Sequence, residues 1–377
     1  MKKIIILCLF ALLAVSNQAS AQEAPKDEIF KAKVIEIIAE ADKPSAGKEI
    51  IKQQHLKLIG LSGNYKDQEF EFNGIGEIDA LGQPSYKIGD KVLAAASVSA
   101  DNSEIHYYIV DYVRTGKLWA LAIFFLAAII AVGRVKGLRA LIALGITFGI
   151  IIKYIIPQIL SGASPLPATL LGSILILIAI IYITEGWRQK SHIAIISIAA
   201  SLFITVLIAQ LFVSLTRLTG AASEEILFLF NIEGAVINLK GLLLAGIIIG
   251  ALGVLDDVVV SQVAAAEEIA SANKNLSRGE IFKKTYKIGV SHISSMANTL
   301  FLAYAGVSLP LLILFISGQS AFASWTEILN TELIAVEIVR ALAGSIGLIL
   351  SMPIATFIAA WRFAPRRSKQ ARLANNQ

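Results

Sequence analysis

The chain has 377 residues, of which 56% are hydrophobic and 16% are charged. An average soluble domain is about 45–50% apolar and about 25% charged, so this composition excludes an ordinary soluble protein and a disordered one. The formal charge of +5 is unevenly spread. Residues 22–117 carry 16 acidic and 12 basic side chains, whereas residues 118–377 carry 12 acidic and 19 basic ones. We therefore place a domain boundary near Lys117.

The first 21 residues have the pattern of a secretory signal peptide. Lys2 and Lys3 precede an apolar run over 4–15, and Ala19-Ser20-Ala21 matches the A-x-A pattern of a signal-peptide cleavage site. The run is too short to span a membrane comfortably, so we expect cleavage after Ala21. The single cysteine, Cys8, lies inside this segment, and a cleaved chain has no thiol for a disulfide or a metal.

Residues 22–115 predict a small all-β extracytoplasmic domain, either a barrel or a sandwich. The candidate strands cover 29–38, 49–58, 69–72, 91–98 and 105–113. Turn-forming pairs such as Asn73-Gly74 lie between them. Because no catalytic or metal-ligand spacing occurs here, we expect a binding or assembly role with an envelope protein as the partner.

Residues 118–361 predict an all-α polytopic membrane bundle of about seven transmembrane helices. The apolar segments cover 118–132, 138–156, 165–184, 193–215, 239–260, 288–317 and 341–360. Most of them approach the ~20 residues that a helix needs to cross a ~30 Å hydrocarbon core. The sixth segment is long and contains Pro310, so we expect it to bend or to end in a re-entrant piece.

The basic residues predict the orientation of this bundle. With the β domain outside, each connection on the inner side carries two or more lysines and arginines. The outer connections carry Arg217, with Lys153 and Lys240 near helix ends. The positive-inside rule therefore predicts a plasma-membrane protein with the basic tail, 362–377, in the cytoplasm. We interpret the basic clusters as topogenic, which excludes nucleic acid and leaves the lipid bilayer as the expected partner.

An adjacent acidic pair, Asp256 and Asp257, lies inside the fifth apolar segment. An ionisable group at the bilayer centre costs ~2.5–3.5 kcal/mol on insertion scales. Helical spacing predicts one stripe formed by Gly246, Gly250, Gly253, Asp257, Ser261, Ala264 and Glu268. The glycines would admit a close helix neighbour.

The next apolar segment offers polar side chains at the same expected depth, where Ser291, Ser295 and Asn298 share one helix face. We therefore predict an intramembrane polar site formed by Asp256, Asp257, Ser261, Glu268, Ser295 and Asn298. Two other interpretations remain open. The acidic pair also fits the cytoplasmic end of a span, and the Ser and Asn side chains also fit ordinary interhelical hydrogen bonding.

The sequence contains no motif for hydrolysis, phosphate binding or redox chemistry. We therefore expect no enzyme activity, no catalytic residue, no cofactor and no bound metal. Adjacent aspartates on one helix point about 100° apart, which is poor geometry for sharing a catalytic proton. Near the seventh segment, Glu337 and Arg340 stand three residues apart and are expected to form an ion pair.

Three blocks of the sequence resemble the YibE/F-like family of bacterial membrane proteins. They are GALGVLDDVVVSQ at 250–262, MANTLFLAYAG at 296–306 and EIVRALAGSIG at 337–347. The resemblance covers most of 118–361 and implies a multi-pass bacterial membrane protein. It provides no catalytic residues that could be transferred to this chain.

Two functions fit these observations. The leading hypothesis is a transporter-like protein that moves an ion or small solute past the acidic pair. The alternative is a non-transporting scaffold or sensor, in which the β domain binds an envelope partner and the helices anchor or relay.

Overall fold

The computed structural model describes residues 28–44, 50–76, 85–98, 105–222, 224–229, 237–317 and 324–365. The predicted signal peptide, 1–21, lies outside these residues, as does most of the predicted tail. The chain divides into two compact units, one covering Gln18–Ile129 and the other beginning at Ile130.

The first unit contains a five-stranded antiparallel sheet. Its strands are β1 (Glu28–Pro44), β2 (Ile50–Gly60), β3 (Glu69–Asn73), β4 (Lys91–Val98) and β5 (Ile105–Tyr112). Their order across the sheet is β3-β2-β1-β4-β5. The five strands expected from the alternating pattern are therefore confirmed.

The sheet curls into a half-barrel around an aromatic and aliphatic core. Register shifts in β1 between Val34 and Glu36 and between Ile37 and Ala39 bend this long central strand. The two edge strands consequently approach each other, and the rings of Phe70 on β3 and Tyr107 on β5 have centroids 4.7 Å apart. Buried residues alternate along β1 at Phe30, Ala32 and Val34, as expected when one face of a sheet is buried, whereas Ala94, Ala95 and Ala96 on β4 are all buried.

Helices make up the rest of the described chain. They are α1 (Thr115–Ile150), α2 (Ile156–Leu160), α3 (Pro165–Thr184), α4 (Gln189–Leu215), α5 (Glu224–Leu229), α6 (Leu239–Ala272), α7 (Arg278–Val307), α8 (Leu309–Ile316), α9 (Trp325–Asn330) and α10 (Glu332–Phe363). A π-helical turn, Ile151–Ile155, joins α1 to α2.

The described residues contain five helices long and apolar enough to cross a membrane, or six if the bent pair α7 and α8 is one span. The sequence predicted seven separate helices, one more than this largest count. The difference arises because 118–132 and 138–156 lie in one 46-residue helical run. That run is broken at Arg134, whose φ of 49° and ψ of −128° are not helical. The short stretch 133–137 contains no proline, and helical hydrogen bonding resumes after the break.

The sixth apolar segment is bent, as its proline predicted. Helices α7 and α8 meet at 66°. Pro310 occupies the first turn of α8, where a missing N–H group costs little. A capping box between Ser277 and Glu280 fixes the other end of α7.

A buried glutamine joins three helices of the second unit. Gln262 on α6 donates from Nε2 to the backbone oxygen of Thr285 on α7 at 2.9 Å and to Oγ1 of Thr356 on α10 at 2.8 Å. Gly289 makes room for it, because a Cβ there would lie 2.7 Å from that same nitrogen. These contacts fix the positions of α6, α7 and α10, which carry the candidate site.

Candidate functional site

The acidic pair lies on one uninterrupted helix. Asn238 caps the start of α6 by accepting a hydrogen bond from the Gly241 N–H at 2.9 Å. The helix then continues through Asp256 and Asp257 as far as Ala272. The pair therefore does not mark the end of the helix, and each carboxylate has a fixed azimuth. Asp256 is half-buried and Asp257 is exposed.

Asp256 has an unsatisfied buried acceptor. Its Oδ1 atom is buried and has no hydrogen-bond partner among the described residues. Asp257 and Glu185 both lie within electrostatic range of it. Glu185 itself accepts from Nζ of Lys190 across the connection between α3 and α4. A buried carboxylate oxygen without a donor is costly, so this position favours a proton, a water molecule or a cation.

The predicted stripe along α6 is an exposed face. Asp257, Ser261 and Glu268 are exposed, as are Gly246 and Gly253. The expected close helix neighbour is present at Gly250 only, where a Cβ would lie 3.0 Å from the Tyr304 hydroxyl. At Gly246 and Gly253 no heavy atom of the described chain lies within 4 Å of that position. Among the described residues, a helix therefore does not pack closely along all three glycines, contrary to the prediction from the sequence.

Ser295 and Asn298 do not meet the acidic pair. Both are exposed on α7, and no hydrogen bond or ion pair among the described residues joins them to Asp256 or Asp257. At this level the contact between α6 and α7 is apolar instead, and Val254 and Val258 pack in one cluster with Ile293 and Met296. Ser295 and Asn298 lie 100° and 200° from Met296 around the helix, which directs them away from α6.

A second polar group lies on α7 and α10. Nη1 of Arg340 donates to Oε1 of Glu337 at 2.8 Å, which confirms the predicted pair. Tyr304 lies within electrostatic range of both residues, and its hydroxyl is the group beside Gly250. Oε2 of Glu337 and Nε of Arg340 are buried without a partner among the described residues.

A cavity of about 320 Å³ adjoins this second group, among α7, α8, α9 and α10. Its lining is almost entirely apolar and includes Phe301, Leu312 and Trp325. Tyr304 and Glu337 are its main polar side chains. Such a volume lies in the range of small-molecule pockets.

A family model described as YibE/F-like protein matches residues 121–365. The match covers more than half of the chain. The chain belongs to the YibE/F-like family. No curated protein and no solved structure matches it. The family and the apolar helices together support a multi-pass membrane protein.

The three blocks that resemble the YibE/F-like family converge in the structure. The first block carries Gly250 and the acidic pair, the second carries Tyr304, and the third carries Glu337 and Arg340. Gly250 and Asp257 lie on the same face of α6, about 10 Å apart along its axis. Glu268 lies about 27 Å from Gly250 along that face, close to the ~30 Å thickness of the hydrocarbon core.

Buried hydroxyl side chains line the helix interfaces, and the sequence analysis did not single them out. They are Thr169, Ser173, Ser191, Ser197, Ser201, Thr205, Thr285, Ser345, Ser351 and Thr356, each at most 3% exposed. The spacing of Ser197, Ser201 and Thr205 at four-residue steps is the signal that could have indicated them. Ser201 and Thr205 each donate to the carbonyl four residues earlier at 2.8 Å, so they serve close helix packing.

No metal site is evident where the chain is described. No group of three or more His, Cys, Asp or Glu side chains lies close enough together there to hold an ion. Asp256 and Asp257, with Glu185 nearby, form the densest group of carboxylates near the candidate site. These carboxylates therefore offer no preformed metal-ligand shell among the described residues.

Proposed function

We propose that this YibE/F-like protein moves an ion or small solute across the bacterial plasma membrane, along the exposed face of α6. The observation that carries the proposal is the sequence of polar groups on that face. The Tyr304 hydroxyl lies beside Gly250, and Asp257, Ser261 and Glu268 follow along the same face, over about 27 Å of the helix axis.

Such a face is poorly suited to lipid contact. A charged side chain at mid-bilayer costs ~2.5–3.5 kcal/mol, and intramembrane carboxylates accordingly face water-filled cavities or other protein. Asp257 is exposed on a helix apolar enough to span a membrane. We infer that it lines a hydrated path, and that Asp256, with its unpartnered Oδ1, holds a proton or cation beside that path.

The proposed orientation follows from charge. Lys283, Lys284 and Lys287 are exposed at the start of α7. Lysines and arginines at membrane-span ends mark the cytoplasmic side. We therefore place the end of α6 that carries Glu268 at the cytoplasmic side. A sheet outside the cell then requires the 46-residue run to cross the membrane twice, turning at the break at Arg134.

Flux measurements in proteoliposomes test the proposal. We expect protons or cations, followed with ion-sensitive dyes, to enter vesicles that contain the wild-type protein. Asp257→Asn removes the exposed charge at nearly constant volume and is expected to lower flux at least tenfold. Glu327→Gln on α9 is the matched control, because it makes the same chemical change away from α6.

The outcomes separate the two functions. Loss of flux in Asp257→Asn, with the Glu327→Gln and wild-type rates equal, supports the path. Equal flux in Asp257→Asn and wild type contradicts this site assignment. A wild-type protein that moves no ion or small solute contradicts transport and favours the scaffold or sensor, in which the sheet binds an envelope partner.

A further inference from the structure

A large cleft with charged side chains in its lining lies in the first unit, at the end of the sheet where α1 begins. It has a volume of about 670 Å³. Its lining comes from the segment before β4, from the end of β5 and from the first turn of α1. The lining residues are Ser85, Lys87, Gly89, Asp90, Lys91, Tyr112, Val113, Arg114 and Lys117.

The cleft is strongly basic, although the segment around it is acidic. Residues 22–117 contain 12 basic and 16 acidic side chains. Four of those basic residues, Lys87, Lys91, Arg114 and Lys117, nevertheless line this one cleft. Asp90 also lines it, so four basic residues and one acidic residue leave a net excess of positive charge. A concave surface with such an excess focuses the electrostatic potential and attracts ions of the opposite sign.

The nearby carboxylates do not neutralise the lysines. Asp90 accepts the backbone N–H of Lys87 at 2.9 Å, and Asp111 pairs with Arg114. No ion pair within 4.0 Å involves Lys87, Lys91 or Lys117 among the described residues. In the part of the chain that the structure describes, these three ammonium groups therefore have no carboxylate within 4.0 Å, although Asp90 lines the same cleft.

One lysine is also held against a like charge. Lys91 on β4 lies directly opposite Lys33 on β1 in the antiparallel register. Side chains at such positions are neighbours, and like charges placed there are destabilising. An anion bound beside Lys91 would relieve this repulsion.

The walls of the cleft are well defined. The Tyr112 hydroxyl donates to the backbone oxygen of Ser85 at 3.2 Å, and the Arg114 guanidinium lies 5.9 Å from the centre of the Tyr112 ring. Gly89 has a φ of +97° and open space around it, so the backbone itself is accessible. The first turn of α1 adds N–H groups without an intrahelical partner, which favour anions.

We propose that this cleft binds a phosphoryl anion, as found in anionic phospholipid headgroups and in free phosphate. Arginine recognises phosphate through paired N–H groups, and lysine binds it as a point charge. The volume exceeds the needs of a single phosphate and suits a phosphoglycerol headgroup. Because α1 begins a candidate membrane span, Lys117 lies where the chain leaves the sheet for that span, which is the position of a lipid headgroup.

The experiment uses the full-length protein in a zwitterionic detergent. Three probes are titrated separately: short-chain phosphatidylglycerol, short-chain phosphatidylcholine and inorganic phosphate. Binding is followed by native mass spectrometry and by the shift in the unfolding temperature. The variant Lys87→Gln/Lys91→Gln/Lys117→Gln removes three charges, and we expect affinity for phosphatidylglycerol to fall about fivefold for each lysine.

Two controls keep the test specific. Lys66→Gln removes a charge from the turn between β2 and β3, outside the cleft, and should bind like wild type. The triple Lys→Arg variant keeps the charge and should also bind. Phosphatidylglycerol binding that depends on the three lysines supports the lipid source, and binding of inorganic phosphate alone with the same dependence supports the soluble source.

Two results would overturn the proposal. One is equal phosphatidylglycerol and phosphate binding by wild type and the triple Lys→Gln variant. The other is equal wild-type affinity for phosphatidylglycerol and phosphatidylcholine without any binding of phosphate. Neither result depends on whether the protein transports a solute.

Discussion

Single glycines decide how closely the helices of the second unit approach. A Cβ at Gly347 on α10 would lie 1.9 Å from Oγ1 of Thr205 and 2.9 Å from its Cβ. Gly344, one turn earlier, differs, because its nearest neighbour would be Cδ2 of Leu300 at an ordinary 3.6 Å. The close contact between α4 and α10 therefore depends on Gly347 rather than on glycines in general.

This difference predicts a matched pair of stability effects. Gly347→Ala should destabilise the folded protein by about 1–3 kcal/mol, since the new methyl group forces α4 and α10 apart. Gly344→Ala should be nearly neutral, because the helix gains propensity without a clash. Thermal unfolding in detergent measures both, and Thr205→Ala should partly rescue Gly347→Ala. A Gly344→Ala protein as unstable as Gly347→Ala would contradict the packing described here.

At the scale of elements, the sheet was predictable because one face is buried. Alternation marks its core, as in Leu56 and Leu58 on β2 and Phe70 and Phe72 on β3. The helices were predictable from apolar length, but the break at Arg134 was not. The glycines and basic residues at 133–137 fit a loop between two helices as well as a kink within one helix. Only the local backbone conformation distinguishes a loop from a kink.

The placement of the polar side chains along the helices was partly predictable for a similar reason. Periodicity correctly placed Asp257, Ser261 and Glu268 on one face of α6, and spacing correctly paired Glu337 with Arg340. The faces on which α6 and α7 meet were not predictable, because they depend on side-chain packing, here that of Val254 and Met296. The proximity of Tyr304 to Gly250 required the three-dimensional arrangement, because 54 residues separate them in the sequence.

The half-barrel contains one strongly perturbed phenol, which predicts an alkaline limit to its stability. Tyr86 is 6% exposed, and burial raises the pKa of its hydroxyl to about 12. An unfolded tyrosine has a pKa of about 10. Between these values the folded state keeps the proton that the unfolded state loses. The sheet therefore has the full contribution of this group below pH 10 and loses it as the pH rises toward 12.

Spectrophotometric titration of phenolate formation tests this prediction. The difference between wild type and Tyr86→Phe isolates the titration of this residue. Its midpoint is expected near pH 12 in the folded protein and near pH 10 in urea. A midpoint near pH 10 in both conditions would show that the hydroxyl is open to water in the folded sheet.

At the scale of the whole molecule, the two units present different chemistry. The sheet unit is acidic overall but has a basic cleft, and the helical unit is apolar but has an acidic face on α6. The first arrangement suits a phosphoryl anion and the second suits a proton or cation. The two proposals concern different ligands in different units, so each can fail without the other.

Water access along α6 tests the central claim most directly and needs no knowledge of the solute. In a Cys8→Ala background, single cysteines are placed at Gly253 and Ser261 on the exposed face and at Phe203 on α4, which is 63% exposed. A charged thiol reagent that cannot enter lipid is then applied to the protein in vesicles opened on both sides. We predict that Gly253→Cys and Ser261→Cys react rapidly and that Phe203→Cys, on a lipid-facing row, does not. If the two α6 cysteines are as unreactive as the one on α4, this face is not hydrated and the proposed path is wrong.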